Sequence, residues 1–190
     1  MLVDGDRVAL VVAPLAADQQ VARREALQPE AGAARERDRG RVPGLDVGLD
    51  AVQAERADQF DDLVSRTGRD DFACLAACLV EGGELVGIFT ISQIVRGYFQ
   101  SAYLGYYASA RLAGQGLMTE AMGLLLDLAF GPLSLHRLEA NIQPGNAPSV
   151  ALARGAGFRL EGYSPRYLLI GGRWRDHERY AITAEEWREH

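Results

Sequence analysis

Arg111-Leu112-Ala113-Gly114-Gln115-Gly116 connects an apolar, aromatic run at residues 102–107 with a helix-like segment, Leu117–Phe130. Two glycines one residue apart allow backbone N–H groups to turn inward without interference from a Cβ atom. The helix behind them places a partial positive charge at its N-terminus. The order of strand, glycine-bearing turn and helix therefore predicts a cradle for a pyrophosphate. The alternative is a tight strand-to-helix connection, and the spacing matches neither the G-x-G-x-x-G dinucleotide motif nor a Walker loop.

A second motif, Asn146-Ala147-Pro148-Ser149, starts a predicted short helix at residues 147–156. Asn146 is a favourable N-cap residue, and a proline is tolerated in a first helical turn. Gly157, after the helix, suits a left-handed C-cap. Asn146 therefore either caps the helix alone or also meets a ligand held by the first loop.

Together, the two motifs resemble the GNAT N-acetyltransferase superfamily. The resemblance implies that the loop binds the pyrophosphate of acetyl-CoA through Arg111, Leu112, Ala113, Gly114, Gln115, Gly116 and Leu117. It also implies that the helix with Asn146 and Ser149 lies beside the pantetheine arm and the thioester. The implied fold is α/β (α+β), a mixed, twisted sheet of about six to seven strands with helices on both faces.

The carboxyl-terminal half of the chain resembles the RimJ/RimL group, the N-terminal-alanine acetyltransferases of ribosomal proteins. The similar stretches are Tyr167-Leu168-Leu169-Ile170-Gly171-Gly172-Arg173-Trp174-Arg175-Asp176-His177, residues 100–106 and residues 135–139. The resemblance is clear from about residue 85 to residue 187. It implies that acetyl passes to a primary amine, and it favours a protein or peptide α-amine, such as that of a ribosomal protein.

The composition is that of an ordinary globular protein, and we expect residues 1–190 to form a single domain. A net charge of −6 argues against electrostatically driven nucleic-acid binding. No segment is long enough to span a membrane. Because Asp4 and Asp6 precede the apolar residues 8–13, we read these as a strand rather than a signal peptide and expect a cytoplasmic protein.

Few residues could supply covalent or metal chemistry. All 20 strongly basic residues are arginine, which excludes a lysine nucleophile. Cys74 and Cys78 lie on one predicted strand about 13 Å apart, too far for a disulfide, and we expect both to be small buried hydrophobic residues. The histidines are scattered, so neither a metal site nor a covalent intermediate is expected.

Periodicity and turn residues predict the element order. Strands are predicted at residues 7–13, 72–80, 85–91, 100–108, 137–142, 158–163, 167–170 and 174–183, and helices at residues 18–27, 49–66, 117–130 and 147–156. Residues 31–46 are predicted to be a loop, and Gly82-Gly83 and Gly171-Gly172 to be turns. The core-facing stripe of the third helix is predicted to be Leu117, Ala121, Leu124, Leu125 and Leu128. Gly123 is expected to let that helix approach the sheet closely.

The resemblance also implies roles in a direct attack of the amine on the thioester. A backbone N–H near Tyr107 or Ala108 is implied as the donor to the developing oxyanion. Ser149 occupies the position at which RimL-type members carry a serine that assists the leaving thiolate. The alternative is a first-turn serine that bonds only to the backbone.

The general base is not fixed by the pattern, because the position of the RimL-type glutamate aligns with Leu168. Asp176 and His177 are the first candidates, since they lie in the stretch most similar to the family. Glu139 and Glu161 are further candidates. Each of the four is also explained by a surface ion pair or hydrogen bond.

A second departure lies upstream, where Leu27-Gln28-Pro29-Glu30 stands in place of the aromatic L-x-P-W segment of RimJ-like chains. That segment belongs to the acceptor side of the family's cleft. Three interpretations therefore stay open: an α-amine acetyltransferase, an acetyltransferase of small-molecule amines, and a non-catalytic acyl-CoA-binding module. A monomer and a homodimer are both compatible with the sequence.

Overall fold

The computed structural model describes residues 2–12 and 70–189. These residues belong to one compact unit, Met1–Ala13 with Gly68–His190. The helices predicted at residues 18–27 and 49–66, the loop at residues 31–46 and the segment at residues 27–30 lie outside the described residues. The prediction of a single domain over residues 1–190 stays a prediction.

One mixed sheet forms the centre of the described unit, which confirms the predicted fold class. Its strands are β1 Leu2–Asp4, β2 Val8–Val12, β3 Phe72–Leu79, β4 Leu85–Val95, β5 Ser101–Ala108, β6 Arg137–Ile142, β7 Arg159–Ile170 and β8 Arg173–Thr183. Their order across the sheet is β1-β2-β3-β4-β5-β6-β8-β7. The β5–β6 pair is parallel, and the other neighbouring pairs are antiparallel.

The strand count differs from the prediction at the two ends of the sheet. The three residues of β1 are too few to show a period in the sequence. The predicted strands at residues 158–163 and 167–170 form one strand, β7, with a register shift between Ser164 and Leu168. Pro165 falls within this shift, and the shift lies on an edge strand, where a missing N–H is tolerated.

Three helices accompany the sheet in the described residues. They are α1 Leu117–Phe130, α2 Ala147–Gly155 and α3 Ala184–Glu189, and a 3₁₀ turn, Ala110–Leu112, precedes α1. The bounds of α1 are those predicted, and α2 ends one residue early. The six residues of α3 are too few for the periodicity of a helix to be recognised.

The predicted stripe of α1 lies in the core, with Leu124 only partly buried. The expectation for Gly123 is wrong, because its nearest neighbour would be Trp187 at 3.9 Å rather than the sheet. The close approach occurs instead at Gly87 of β4, where a Cβ atom would lie 2.5 Å from the sulfur of Met118. Cys74 and Cys78 are not joined by a disulfide and are only half-buried, whereas both were expected to be buried.

The two parallel strands separate soon after they meet. β5 and β6 pair only at Ser101–Arg137, Ala102–Leu138 and Tyr103–Glu139, and the later residues of the two strands are not paired with each other. Beyond Tyr103, β5 keeps its hydrogen bonds to β4 on one side and presents its other edge to an opening, which we call the β5–β6 wedge. The Arg111–Gly116 loop and the start of α2 follow the strand ends that border this wedge.

Candidate active site

The Arg111–Gly116 loop has the backbone conformation that its glycines predict. Gly114 and Gly116 have φ angles of +77° and +75°, in the left-handed region that favours glycine. Gly116 is also the N-cap of α1, and its carbonyl accepts the N–H groups of Thr119 and Glu120 at 3.1 Å. Among the described residues, none accepts the N–H of Gln115, Gly116 or Leu117. This turn therefore presents free donors at a helix N-terminus.

Arg7, the residue before β2, holds the loop in place through an ion pair with Glu120 of α1. The Glu120 carboxylate on α1 accepts hydrogen bonds from the N–H groups of Arg7 and Val8 at 2.7 and 2.9 Å and from the Arg7 guanidinium at 3.0 Å. Burial raises the pKa of Glu120, but these hydrogen bonds outweigh it and the net pKa is lowered. The same guanidinium donates to the Gln115 carbonyl at 3.3 Å, so it ties the loop to the start of β2.

Backbone donors of β5 point into the wedge. Ser109 donates its N–H to Val86 of β4 at 2.8 Å. Because N–H directions alternate along an antiparallel strand, Tyr107 also donates toward β4, whereas Tyr106 and Ala108 direct their N–H groups away from it. Of the two residues expected to bear the oxyanion donor, the geometry thus favours Ala108 over Tyr107.

The start of α2 is capped and tied to β5. The Asn146 side chain accepts the N–H of Ser149 at 3.2 Å, which confirms that Asn146 is an N-cap. The Tyr106 hydroxyl donates to the Ser149 carbonyl at 2.8 Å. Burial raises the pKa of Tyr106 to about 12, and a hydrogen bond with the Ser149 side chain opposes this rise. Tyr106 therefore ties the first turn of α2, which carries Ser149, to the border of the wedge.

A cleft of about 700 Å³ lies between the start of α2 and the β7–β8 hairpin. It is lined by Gln143, Pro144, Gly145, Asn146, Pro148, Tyr163, Trp174, Arg175 and Asp176. The cleft brings together Asn146 and Asp176, which lie 30 positions apart in the sequence. The glycine loop does not line it.

Comparison with known proteins identifies the family to which this chain belongs. Residues 6–159 match the family model described as an acetyltransferase (GNAT) domain. The chain belongs to the GNAT acetyltransferase family. It is an acyltransferase of the N-acetyltransferase class, and acetyl-CoA is the acyl donor.

Among the relatives of this GNAT acetyltransferase, a probable N-acetyltransferase of Bacillus subtilis, YjcK, is 35% identical over 130 residues, which cover 68% of this chain and 70% of the relative. The [ribosomal protein uS5]-alanine N-acetyltransferase of Escherichia coli is 40% identical over 104 residues. That match covers 55% of this chain and about half, 54%, of the E. coli protein.

Solved structures show the same GNAT fold. Mycobacterium smegmatis RimJ, in complex with CoA-disulfide, has a TM-score of 0.70 and 31% identity and covers 94% of this chain and 83% of RimJ. A chimera of Vibrio cholerae spermidine N-acetyltransferase SpeG with hSSAT also has a TM-score of 0.70. Its identity is 18%, with 95% and 99% of the two chains covered, so this likeness concerns the fold alone.

Within this GNAT acetyltransferase, the two favoured base candidates differ in accessibility. The Asp176 carboxylate borders the cleft and accepts hydrogen bonds from the Tyr163 hydroxyl and, at 2.7 Å, from the N–H of Arg166. These bonds, the one from Tyr163 first, lower the pKa of Asp176, so it is ionised but weakly basic at neutral pH. His177 is 2% exposed, and its Nδ1 is 3.0 Å from the Arg175 carbonyl.

The other two base candidates are engaged in ion pairs away from the cleft. Glu139 and Glu161 both accept hydrogen bonds from the Arg137 guanidinium, and Glu161 also pairs with Arg159 at 2.6 Å. The hydrogen bond from Arg137 lowers the pKa of Glu161. These contacts support the alternative interpretation of both residues as ion-pair partners.

Two contributions to the site were missed from the sequence. Tyr106 was read only as part of an apolar, aromatic run, and no role was predicted for Glu120. Their partners, Ser149 and Arg7, lie 43 and 113 positions away, so no local pattern could indicate them. Over the described residues, no helix is long and apolar enough to cross a membrane, and no group of metal-ligating side chains was found.

Proposed function

We propose that this GNAT acetyltransferase transfers acetyl from acetyl-CoA to the α-amine of a protein or peptide in the cytoplasm. The observation that carries the proposal is the β5–β6 wedge, bordered at one end by a loop with free N–H donors and at its side by Ser149. The names of two relatives support the acceptor class, since one is a ribosomal-protein-alanine N-acetyltransferase and the other is RimJ.

The loop fits a pyrophosphate in shape and in chemistry. A Cβ atom added at Gly114 would meet nothing within 4 Å, so the space in front of this residue is open. Free N–H groups and the N-terminus of a 14-residue helix favour an anion there. The Arg111 guanidinium is 69% exposed, and its ion pair with Glu84 is long, at 3.6 Å. Because exposed pairs of this kind are weak, Arg111 is available to add a positive charge at the loop.

The free edge of β5 supplies the electrostatic part of the catalysis. We assign the Ala108 N–H, with that of Tyr106 deeper in the wedge, to the carbonyl oxygen that gains negative charge as the amine attacks. Donors of this kind are fixed in position before the reaction begins. Removal of one such donor typically lowers the kcat of an enzyme by a factor of about 10²–10³. Ser149 is assigned to the leaving thiolate, with the Tyr106 hydroxyl as a positioning group beside it.

The cleft beside the hairpin suits an N-terminal peptide segment. Trp174 is 61% exposed and offers an apolar surface, whereas Asp176 offers a fixed anion for a cationic side chain of the peptide. Asp176 is a weak base, so we assign deprotonation of the amine to an ordered water or to the solvent. An α-ammonium has a pKa of about 7.7–8.0 against about 10.4 for lysine, so its deprotonation at neutral pH costs ~3 kcal/mol less.

A peptide with one free α-amine and one internal lysine tests this function. We expect acetyl-CoA-dependent acetylation mainly at the α-amine, measured by fragmentation mass spectrometry, and a rate that rises between about pH 6.5 and 8.5. Spermidine and free amino acids, tested in parallel, represent the small-molecule alternative. Transfer confined to those amines would contradict the peptide proposal, and binding of acetyl-CoA without any transfer would indicate the non-catalytic module.

A further inference from the structure

Asn141, on β6 next to the wedge, has a buried side-chain oxygen without a hydrogen-bond partner in the part of the chain that the structure describes. Among the side chains of the described residues, the amide oxygen of Asn141 is the one buried nitrogen or oxygen that lacks a hydrogen-bond partner. Native proteins retain few such atoms, and each calls for a physical explanation. An amide oxygen accepts hydrogen bonds only, so a matching ligand must offer an N–H or an O–H.

The position of Asn141 on β6 places it at the inner end of the wedge. The last paired residues of β5 and β6 are Tyr103 and Glu139, and Asn141 is two residues farther along β6. Continuing the parallel register sets Gly105 opposite Asn141, on the same face of the sheet. Gly105 has no side chain, and a Cβ atom there would lie 2.7 Å from the hydroxyl of Thr90. Across the wedge, therefore, β5 offers Asn141 no side-chain neighbour at this level.

The two faces of the sheet differ at this point. On β6, Leu138, Ala140 and Ile142 alternate with Asn141 and belong to the buried core. The face that they share is closed near the wedge by α2, through the hydrogen bond from Tyr106 to the Ser149 carbonyl. The face with Gly105 and Asn141 is the one away from α2, and an amine that reached the edge of β5 from that side would lie beside Asn141.

We propose that the amide oxygen of Asn141 accepts a hydrogen bond from the acceptor amine and so orients the nitrogen toward the thioester carbonyl. This inference rests on the proposed acetyl transfer and names a further binding residue for it. A neutral amide suits the task better than a carboxylate, because it binds an N–H without the charge that would stabilise the unreactive ammonium form. This hydrogen bond fits any primary or secondary amine whose nitrogen carries substituents small enough to enter the wedge.

The variant Asn141→Leu separates this role from a structural one, because leucine has nearly the same volume and no orphan polar atom. We expect its melting temperature to equal or exceed that of the wild type, since no native hydrogen bond is lost. The probes are CoA itself and a conjugate in which the α-nitrogen of an alanine-initiated peptide is joined through an acetyl group to the CoA sulfur. The amide N–H of the conjugate stands in for an N–H of the attacking amine.

In calorimetric titrations, we expect Asn141→Leu to bind CoA within about twofold of the wild type and the conjugate at least tenfold more weakly, a change of about 1.4 kcal/mol. Thr183→Val is the control, since Thr183 lies on β8 opposite Arg137, away from the wedge. It should bind both probes like the wild type. Asn141→Ala repeats the titrations if the leucine variant does not fold.

Equal losses for CoA and for the conjugate would overturn the proposal, because Asn141 would then serve the pantetheine arm. Unchanged affinity for both probes would overturn it in favour of a purely structural residue. If the wild-type protein bound the peptide conjugate no more tightly than CoA, this would contradict the proposed peptide acceptor but would not bear on Asn141. The same titrations with a spermidine–CoA conjugate would then decide the role of Asn141.

Discussion

The Tyr106 hydroxyl lies 2.8 Å from the backbone carbonyl of Ser149, and this hydrogen bond joins the free edge of β5 to the first turn of α2. It ties together the two elements that border the wedge. Ser149 is therefore held at both backbone groups, by Tyr106 at its carbonyl and by Asn146 at its N–H. The position of its side chain depends on a contact between two distant parts of the chain.

The substitution Tyr106→Phe removes this link and leaves the ring in place. We expect the free energy of unfolding to fall by about 1 kcal/mol and kcat to fall several-fold, because the first turn of α2, which carries Ser149, loses its link to β5. Chemical denaturation and steady-state kinetics measure the two effects. Tyr98→Phe is the control, since Tyr98 is fully exposed and should tolerate the same change. Wild-type stability and kcat in Tyr106→Phe would show that the link has no role.

A second prediction concerns the donor loop. Gly114→Ala should weaken CoA binding by tenfold or more, about 1.4 kcal/mol, because the loop must leave its left-handed conformation or strain to keep it. Gly82→Ala is a matched control, since Gly82 has a φ of +80° against +77° for Gly114, and neither would place a Cβ within 4 Å of another atom. Both variants carry a similar backbone penalty, so a similar loss of CoA affinity in the two would argue against the loop assignment.

The features predictable from sequence are those that a local pattern encodes. The bounds of α1 follow from the stripe of apolar residues with Gly116 before it, and the cap at Asn146 follows from one residue type at a helix start. Gly123 was misread because a single glycine does not reveal whether a strand or Trp187 lies against it. The mixed character of the sheet was implied by the family resemblance rather than by periodicity, and the order of its strands was not predicted.

The arrangement of the site depended on information that the sequence does not carry locally. The length of the β5–β6 pairing decides where the wedge opens, and no residue type marks its end at Tyr103. Asp176 and His177 are adjacent in sequence, yet alternation along β8 gives them opposite faces. Asp176 consequently borders the cleft, whereas His177 is buried. A list of titratable residues in one stretch could not separate the two.

A third prediction concerns Asp176 and the dependence of protein stability on pH. Its pKa is lowered in the folded state, so its contribution to stability is present above the unfolded pKa of about 3.9 and is lost as the pH falls through the folded value. Asp176→Asn should therefore melt below the wild type at pH 7, and the two melting curves should converge in acid below about pH 4. A difference in melting temperature that persisted unchanged into acid would contradict the hydrogen-bonded carboxylate.

The same variant tests the general base. The Asp176 carboxylate is already ionised at neutral pH, so the rise in rate between about pH 6.5 and 8.5 should come from the substrate α-ammonium. We expect Asp176→Asn to raise KM for the peptide and to leave the midpoint of the pH–rate profile of kcat/KM in place. Loss of the rise in that profile would instead identify Asp176 as the base.

Ser149 is the residue for which a catalytic and a structural role can be separated most directly. Its N–H and its carbonyl make the contacts with Asn146 and Tyr106, and both survive the substitution Ser149→Ala. The fold and the affinity for acetyl-CoA should thus stay close to wild type, whereas kcat should fall by ~10- to 100-fold if the hydroxyl assists the leaving thiolate. Ser134→Ala, a change at an exposed turn, controls for the loss of a hydroxyl.

The assistance from Ser149 matters only while departure of the thiolate limits the rate. Thioester donors whose leaving thiols have a lower pKa should therefore narrow the difference in kcat between Ser149→Ala and the wild type. A kcat that is wild-type with acetyl-CoA would reduce Ser149 to a first-turn residue of α2.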